Sequence, residues 1–325
     1  MASRDRSTLT VYIKSFTKTI LLSIIINMIK IFAYLAVYII WGTTYFFMKF
    51  AVTGISPYYV VGIRNFGSFM LLIGAGLLLR QIKSFPSIKQ IMSSIIIGTC
   101  LLVGGSGFVM IAVKGVDSYM ASLVISCTPL VVVFTDRFLL GNKVDFSAVV
   151  GILIGLLGVG ILLFDGQSFV FTYNPYFFLL FAAVLSWSLG TSLSKKLPLP
   201  DDSFTHASIQ FIVIGLACVI GMQFVEPIQS VAWSEVSLNV WLSVAYLSFF
   251  GSIAFASFHY LVKNEPNYRV VTYTFINPAI AMFIGIVLGN EAVVAGLLPG
   301  CFLIFVSLII IFYYKSIKKS ILRLF

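Results

Sequence analysis

The chain has 325 residues, 60% of them hydrophobic and only 10% charged, with a formal net charge of +10. Soluble globular domains carry roughly 45–50% apolar and 25% charged residues, so this composition excludes an ordinary soluble protein and specifies a membrane protein. No RNA-binding motif or basic stripe accompanies the positive balance, which argues against nucleic acid and for contact with anionic lipid headgroups.

In chain order, a charged start leads into "TILLSIIINMI", which is shorter than a span and lacks a small-residue cleavage site, so no signal peptide is predicted. Residues 1–30 read as a cytoplasmic extension, with initiation of translation at Met28 as the alternative. Apolar stretches between breakers then give ten spans, at 31–50, 57–79, 90–113, 116–137, 146–164, 175–194, 203–225, 237–261, 268–289 and 292–314. Segments such as "TGISP", "KSFPS", "GNKVD", "LPLPDD" and "NEPN" punctuate them with Pro, Gly, Asn and Asp. Residues 315–325 form a basic tail.

With a cytoplasmic N-terminus, alternate connections and the two ends collect nearly all of the 21 basic residues. The exceptions are Lys49 and Lys114 near external ends and Arg64 inside the second span. This alternation predicts cytoplasmic N- and C-termini. Cys100, Cys127, Cys218 and Cys301 all lie in apolar runs without metal-ligand spacing and read as core residues. There is no Walker A sequence, no HExxH and no paired intramembrane carboxylate, so neither ATP-driven pumping nor acid-base or metal catalysis is indicated, and no cofactor is expected.

Comparing the chain with itself exposes a repeat. "WGTTYFFMK" (41–49) and "WSLGTSLSK" (187–195) share a Trp, a small polar cluster and a Lys at equal spacing. Pro129 followed by "LGNK" matches Pro278 followed by "LGNE", with a slip of one residue. Each half closes with a GxxxG pair, Gly151 with Gly155 and Gly296 with Gly300, of the kind that lets helices approach closely in lipid. A unit with an odd number of spans must re-enter the bilayer inverted, so residues 31–164 and 175–314 are expected to form two inverted five-helix repeats around a central cavity, an architecture common in secondary transporters.

These features resemble the EamA branch of the drug/metabolite transporter superfamily. The resemblance rests on "IIWGTTYFFMKFAVTGISPYYVVGIRNF" (39–66), "ASLVISCTPLVVVFTDRFLLGNK" (121–143) and "VVTYTFINPAIAMFIGIVLGNEAV" (270–293), and covers residues 28 to 315. It implies an all-α bundle of ten transmembrane helices moving amino acids or related metabolites, commonly outward. The sequence departs from the pattern at Lys143, where an acidic residue is frequent, while Glu291 keeps it.

Arg64 is the candidate anion contact, because a charge about seven residues into a span is costly and its planar fork suits a carboxylate or phosphate. A tie to helix carbonyls or Asn65 is the plain alternative, and Gln210 is its repeat equivalent. Trp41 with Tyr45, Trp187 with Thr191, and Tyr273 with Asn277 are each spaced one turn apart on one face, as cavity linings or as ordinary packing. Pro129, preceded by Thr128, and Pro278 are expected kinks that expose backbone groups or act in gating. His259 is the candidate proton-coupling group, against a core histidine; Asp117 and Glu291 are expected to be solvated, and Asp136 to be an edge charge that sets topology.

The expected activity is secondary or exchange transport of small organic solutes, outward across an inner membrane by alternating access. The alternatives are an importer or exchanger of a nucleotide-like metabolite, a membrane enzyme acting on lipid-linked substrates, and a structural membrane subunit. The expected partners are a small-molecule solute and membrane lipids, with a homodimer left open.

Overall fold

The computed structural model describes residues 3–82, 84–116, 118–143, 145–163, 175–224, 228, 232–289 and 296–321. Among them the chain forms helices joined by turns and no strands. That outcome follows from the composition, since a backbone in hydrocarbon must satisfy its own polar groups and a helix does so within one segment.

The first element, α1, runs without interruption from Ser3 to Ala51. The helix passes residue 31, the expected start of the first span, without a break, because no Gly or Pro lies between Ser3 and Trp41. Its portion apolar enough to cross a membrane begins at Ser23 instead of residue 31. Helix α2 (Pro57–Leu78) starts with proline in its first turn, where the missing N–H costs nothing. Helix α3 (Ile88–Gly98) opens with a capping box: Gln90 N donates to Ser87 Oγ, and Ser87 N donates to Gln90 Oε1. It continues into a π-helical segment, Thr99–Gly107, and then α4 (Phe108–Ala112).

The fourth predicted span is broken into α5 (Ser118–Ile125) and α6 (Thr128–Leu140), with Pro129 in the first turn of α6. Then come α7 (Phe146–Leu163), α8 (Tyr176–Lys196), α9 (Ser203–Met222) and α10 (Leu238–Asn264). The ninth predicted span is also broken, into α11 (Asn267–Val270) and α12 (Tyr273–Gly289), and α13 (Leu297–Ile321) ends the described chain. Here the interruption falls at Val271–Thr272, while Pro278 lies inside α12.

Six of these helical stretches are long and apolar enough to cross a membrane: Ser23–Ala51, Pro57–Leu78, Ile88–Ala112, Tyr176–Lys196, Ser203–Met222 and Leu238–Asn264. Phe146–Ile161 and Leu297–Tyr313 are shorter apolar helices. The chain is therefore a polytopic all-helical membrane protein.

Packing is selective. Helix α2 lies on α9, α7 on α13, α1 on α10 and α12, and α8 on α6 and the π segment. The α7–α13 contact uses small residues, with Ser307 Oγ donating to the carbonyl of Gly151 at 2.7 Å. At the end of the bundle bearing Lys30 and Lys195, one continuous apolar cluster joins helices from both halves, including Val37, Leu101, Val132, Phe211, Phe258 and Val271. Toward the opposite end the interior divides, with Tyr59, Val60 and Val244 in one cluster and Ala112, Leu180 and Ala183 in another.

Candidate functional site

A cavity of about 110 Å³ lies in the middle of the bundle, and it gathers Trp41, Tyr45, Arg64, Asn65, Trp187, Tyr273 and Asn277. Arg64 comes from α2 and is 8% exposed. Its Nη2 donates to Ser106 Oγ at 2.7 Å, and its Nε has no partner among the described residues. Neither ion pair found among the described residues involves Arg64. A buried cation held by one neutral hydroxyl is under-satisfied, since removing a charge from water costs several kcal/mol unless it is paired.

Ser106 owes its position to the π segment. The run "VGGSG" packs two glycines against α8, and Ser186 Oγ on α8 donates to the Cys100 carbonyl at 2.9 Å. A Cβ at Gly105 would lie 2.5 Å from Cε3 of Trp187, so only glycine permits this approach. The widened turn then aims Ser106 at Arg64, in keeping with the tendency of π segments to mark functional sites. Gly105→Ala is expected to displace the Trp187 indole and to lower the melting temperature of purified protein. An unchanged melting temperature would show that the contact yields freely.

Aromatic rings close the cavity on the Lys30 side. Trp41 meets Trp187 edge-on at 5.3 Å and Tyr273 at 4.6 Å, and tilts against Phe258 at 5.2 Å. Some polar tips remain free within this apolar shell: Trp187 Nε1, both amide atoms of Asn65 and Asn277 Oδ1 are buried without partners among the described residues. The Tyr45 hydroxyl pairs with the Asn277 side chain. Thr44, Ser68 and Thr128 complete the polar lining. Among the described residues no three His, Cys, Asp or Glu side chains come together as a metal site would require.

Other candidates lie elsewhere. Thr191 is fully buried and returns its hydroxyl to the Trp187 carbonyl at 2.8 Å, outside the cavity lining. Gln210 is also outside it, because its amide is engaged by His206 and His259. Pro129 and Pro278 do not line the cavity either, although their neighbours Thr128 and Asn277 do. Asp117 and Glu291 fall outside the described residues.

Asp136 differs from the edge charge expected of it. It is buried, and its Oδ1 accepts from Ser192 Oγ at 2.6 Å and from Asn267 Nδ2 at 2.8 Å, so it joins α6, α8 and α11. Beside it, Glu265 holds Lys30 at 2.7 Å and Arg269 at 3.7 Å, while its carbonyl accepts from Lys195 Nζ at 2.6 Å. The sequence placed Asp136 next to Arg137 at the end of a span, and nothing in that spacing announces partners 56 and 131 positions away.

Known proteins share this sequence and architecture. The model of the EamA-like transporter family matches residues 28–164 and 174–313. YedA of Escherichia coli strain K12, described as an uncharacterized inner membrane transporter, is 33% identical over 80% of this chain and 82% of its own. An uncharacterized transporter of Buchnera aphidicola subsp. Schizaphis graminum is 28% identical over 90% of this chain and 98% of its own. A protein crystal structure, 21% identical, superposes with a TM-score of 0.70 over 88% of this chain and 96% of that one, and shares its fold. With the family model matched in both halves, the chain belongs to the EamA-like transporter family and is a membrane transporter.

Proposed function

We propose that the chain carries small organic solutes bearing a carboxylate, amino acids or related metabolites, outward across the inner membrane by alternating access. The observation that carries the substrate reading is Arg64, a buried cation without a carboxylate partner among the described residues, in a cavity where the Asn65 amide, Trp187 Nε1 and Asn277 Oδ1 are also unpaired. A solute carboxylate accepting two parallel N–H bonds from one edge of the guanidinium, the unpaired Nε among them, would complete it. The aromatic shell would take the solute's apolar body. One arginine and about 110 Å³ of space suit an amino-acid-sized solute better than a nucleotide with its several phosphate charges.

In this reading ten spans form two inverted repeats, 31–164 and 175–314. The packing pattern supports it. Exchanging each helix for its counterpart in the other half preserves the most extensive contacts: α2–α9 and α7–α13 map onto themselves, α1–α10 maps onto α8 with the π segment, and α1–α12 maps onto α8–α6. The tied end carries Lys30, Lys195, Lys196, Lys263 and Arg269, which the positive-inside rule makes cytoplasmic. Residues 1–30 and the basic tail 315–325 would then both be cytoplasmic, and the conformation described is closed toward the cytoplasm. The inner membrane named for YedA agrees with this location.

The test is counterflow. Full-length protein in liposomes preloaded with unlabelled amino acids is expected to take up at least one radiolabelled amino acid saturably. Absence of exchange for every amino acid, with monodisperse protein in the vesicles, would overturn the substrate class.

A further inference from the structure

The chain contains two histidines, and the fold brings them together. His206 on α9 and His259 on α10 are 3% and 4% exposed, with ring centroids 4.3 Å apart. Between them sits Gln210, whose Nε2 is 2.8 Å from Nε2 of His206 and 3.2 Å from Nε2 of His259. The same amide nitrogen lies 3.4 Å from His206 Nδ1, and with the amide in this orientation both Nε2 atoms accept and each neutral ring carries its proton on Nδ1. For His206 that proton continues a chain: Nδ1 donates to Ser94 Oγ at 2.8 Å, and Ser94 Oγ donates to the Gln90 carbonyl at 2.8 Å. The opposite face of the amide is unfinished, because Gln210 Oε1 is buried without a partner among the described residues.

Both rings also line a second cavity, of about 240 Å³, at the end of the bundle bearing Lys263. Its rim holds Asp201, Asp202 and Lys263. Asp202 caps α9 through Thr205 N at 2.7 Å, and Lys263 donates to the Asp201 carbonyl at 2.6 Å. Other charged groups on the enclosing helices, Lys89 on α3, Lys195 and Lys196 on α8 and Arg64 on α2, do not line it.

We propose that His206 and His259, joined by Gln210, form a proton-binding site served by this pocket, and that its occupation favours the conformation open at that end. This rests on the alternating-access reading above. A proton from the pocket's water adds to the lone pair of one Nε2, which then becomes a donor. Gln210 must rotate its amide to offer Oε1, the atom now unpartnered. The resulting cation is costly while the pair is enclosed and cheaper once water reaches it, so the proton binds the open conformation better and shifts the equilibrium toward it.

Gln210 also touches the transport site's support. A Cβ at Gly98 would lie 2.9 Å from Gln210 Cγ, so the glutamine bears directly on the residue before the π segment that carries Ser106. Rotation of this side chain therefore acts where α3 becomes the π helix.

The test uses spin labels at the exposed Asn142 and Asn264, introduced as cysteines into the full-length chain after replacing its four native cysteines by alanine, in lipid nanodiscs. Between about pH 8 and pH 5, where histidine changes charge, the interlabel distance is expected to shift toward longer values. In the His206→Asn, His259→Asn double variant the shift is expected to vanish. A distance independent of pH in the native pair, or an equal shift in the double variant, would overturn the proposal.

Ring-nitrogen resonances of 15N-histidine-labelled protein give a variant-free measure, as only two histidines contribute. Rings that stay neutral across the range in which the distance changes would overturn it too. None of these readouts uses a transported solute, so failure of the amino-acid panel and failure of the proton site are separate results.

Discussion

Arg64→Gln is expected to lower counterflow of carboxylate solutes by about 10- to 100-fold, since a hydrogen bond to a charged group contributes about 1.5–3 kcal/mol and 1.4 kcal/mol is tenfold. Folding should not suffer. Among the described residues the guanidinium has one neutral partner, Ser106, and an unpaired Nε, so its removal relieves a buried charge instead of stranding a counter-ion. The melting temperature is expected to stay level or rise. Arg64→Lys keeps the charge but loses the planar fork, and should recover only part of the rate. The decisive comparison is between solutes. Equal loss for neutral and carboxylate solutes would give Arg64 a structural role, whereas selective loss of carboxylates identifies it as their contact.

The sequence reading reaches the site unevenly, and the reasons are physical. Trp41, Tyr45, Trp187, Tyr273 and Asn277 were legible because a one-turn spacing fixes a shared helix face, and the repeat says which faces correspond. Arg64 was legible because charge inside a span demands an explanation. Ser106 was not, since "VGGSGF" reads as a packing surface until the π segment turns its serine toward α2. Thr191 shows the reverse failure: its spacing fits a cavity lining, but its hydroxyl is satisfied by the Trp187 carbonyl of its own helix. Gln210 shares Arg64's place in the repeat and not its surroundings, because His206 one turn earlier and His259 on α10 engage its amide. Repeats predict backbone position well. They predict chemistry only where the neighbours repeat as well.

Asp136→Ala is expected to loosen the end of the bundle that the structure shows tied. Ser192 Oγ and Asn267 Nδ2 both give their protons to one carboxylate oxygen, and its loss leaves Ser192 with Thr135 Oγ1 at 2.8 Å and Asn267 with only the longer contact to the Thr191 carbonyl at 3.4 Å, at a cost of about 1–3 kcal/mol for the poorly satisfied amide. The cost falls on this conformation alone if the helices α6, α8 and α11 part when that end opens. Each 1.4 kcal/mol then moves the balance about tenfold toward the open form. Spin labels at Asn142 and Asn264, read at fixed alkaline pH, should therefore report longer distances in the variant, together with a lower melting temperature. Asp136→Asn is the informative companion, because it keeps an Oδ1 that can accept both protons and changes little but the charge. If the carboxylate acts as an acceptor that joins three helices, the asparagine variant stays close to the native distance and the alanine variant does not. If both variants open equally, the negative charge itself is what holds the end, through Lys195 on α8 and the Lys30–Glu265–Arg269 cluster beside it. Native distances in both would remove Asp136 from the closure and leave the aromatic contacts of Trp41, Trp187, Phe258 and Tyr273 to seal that side.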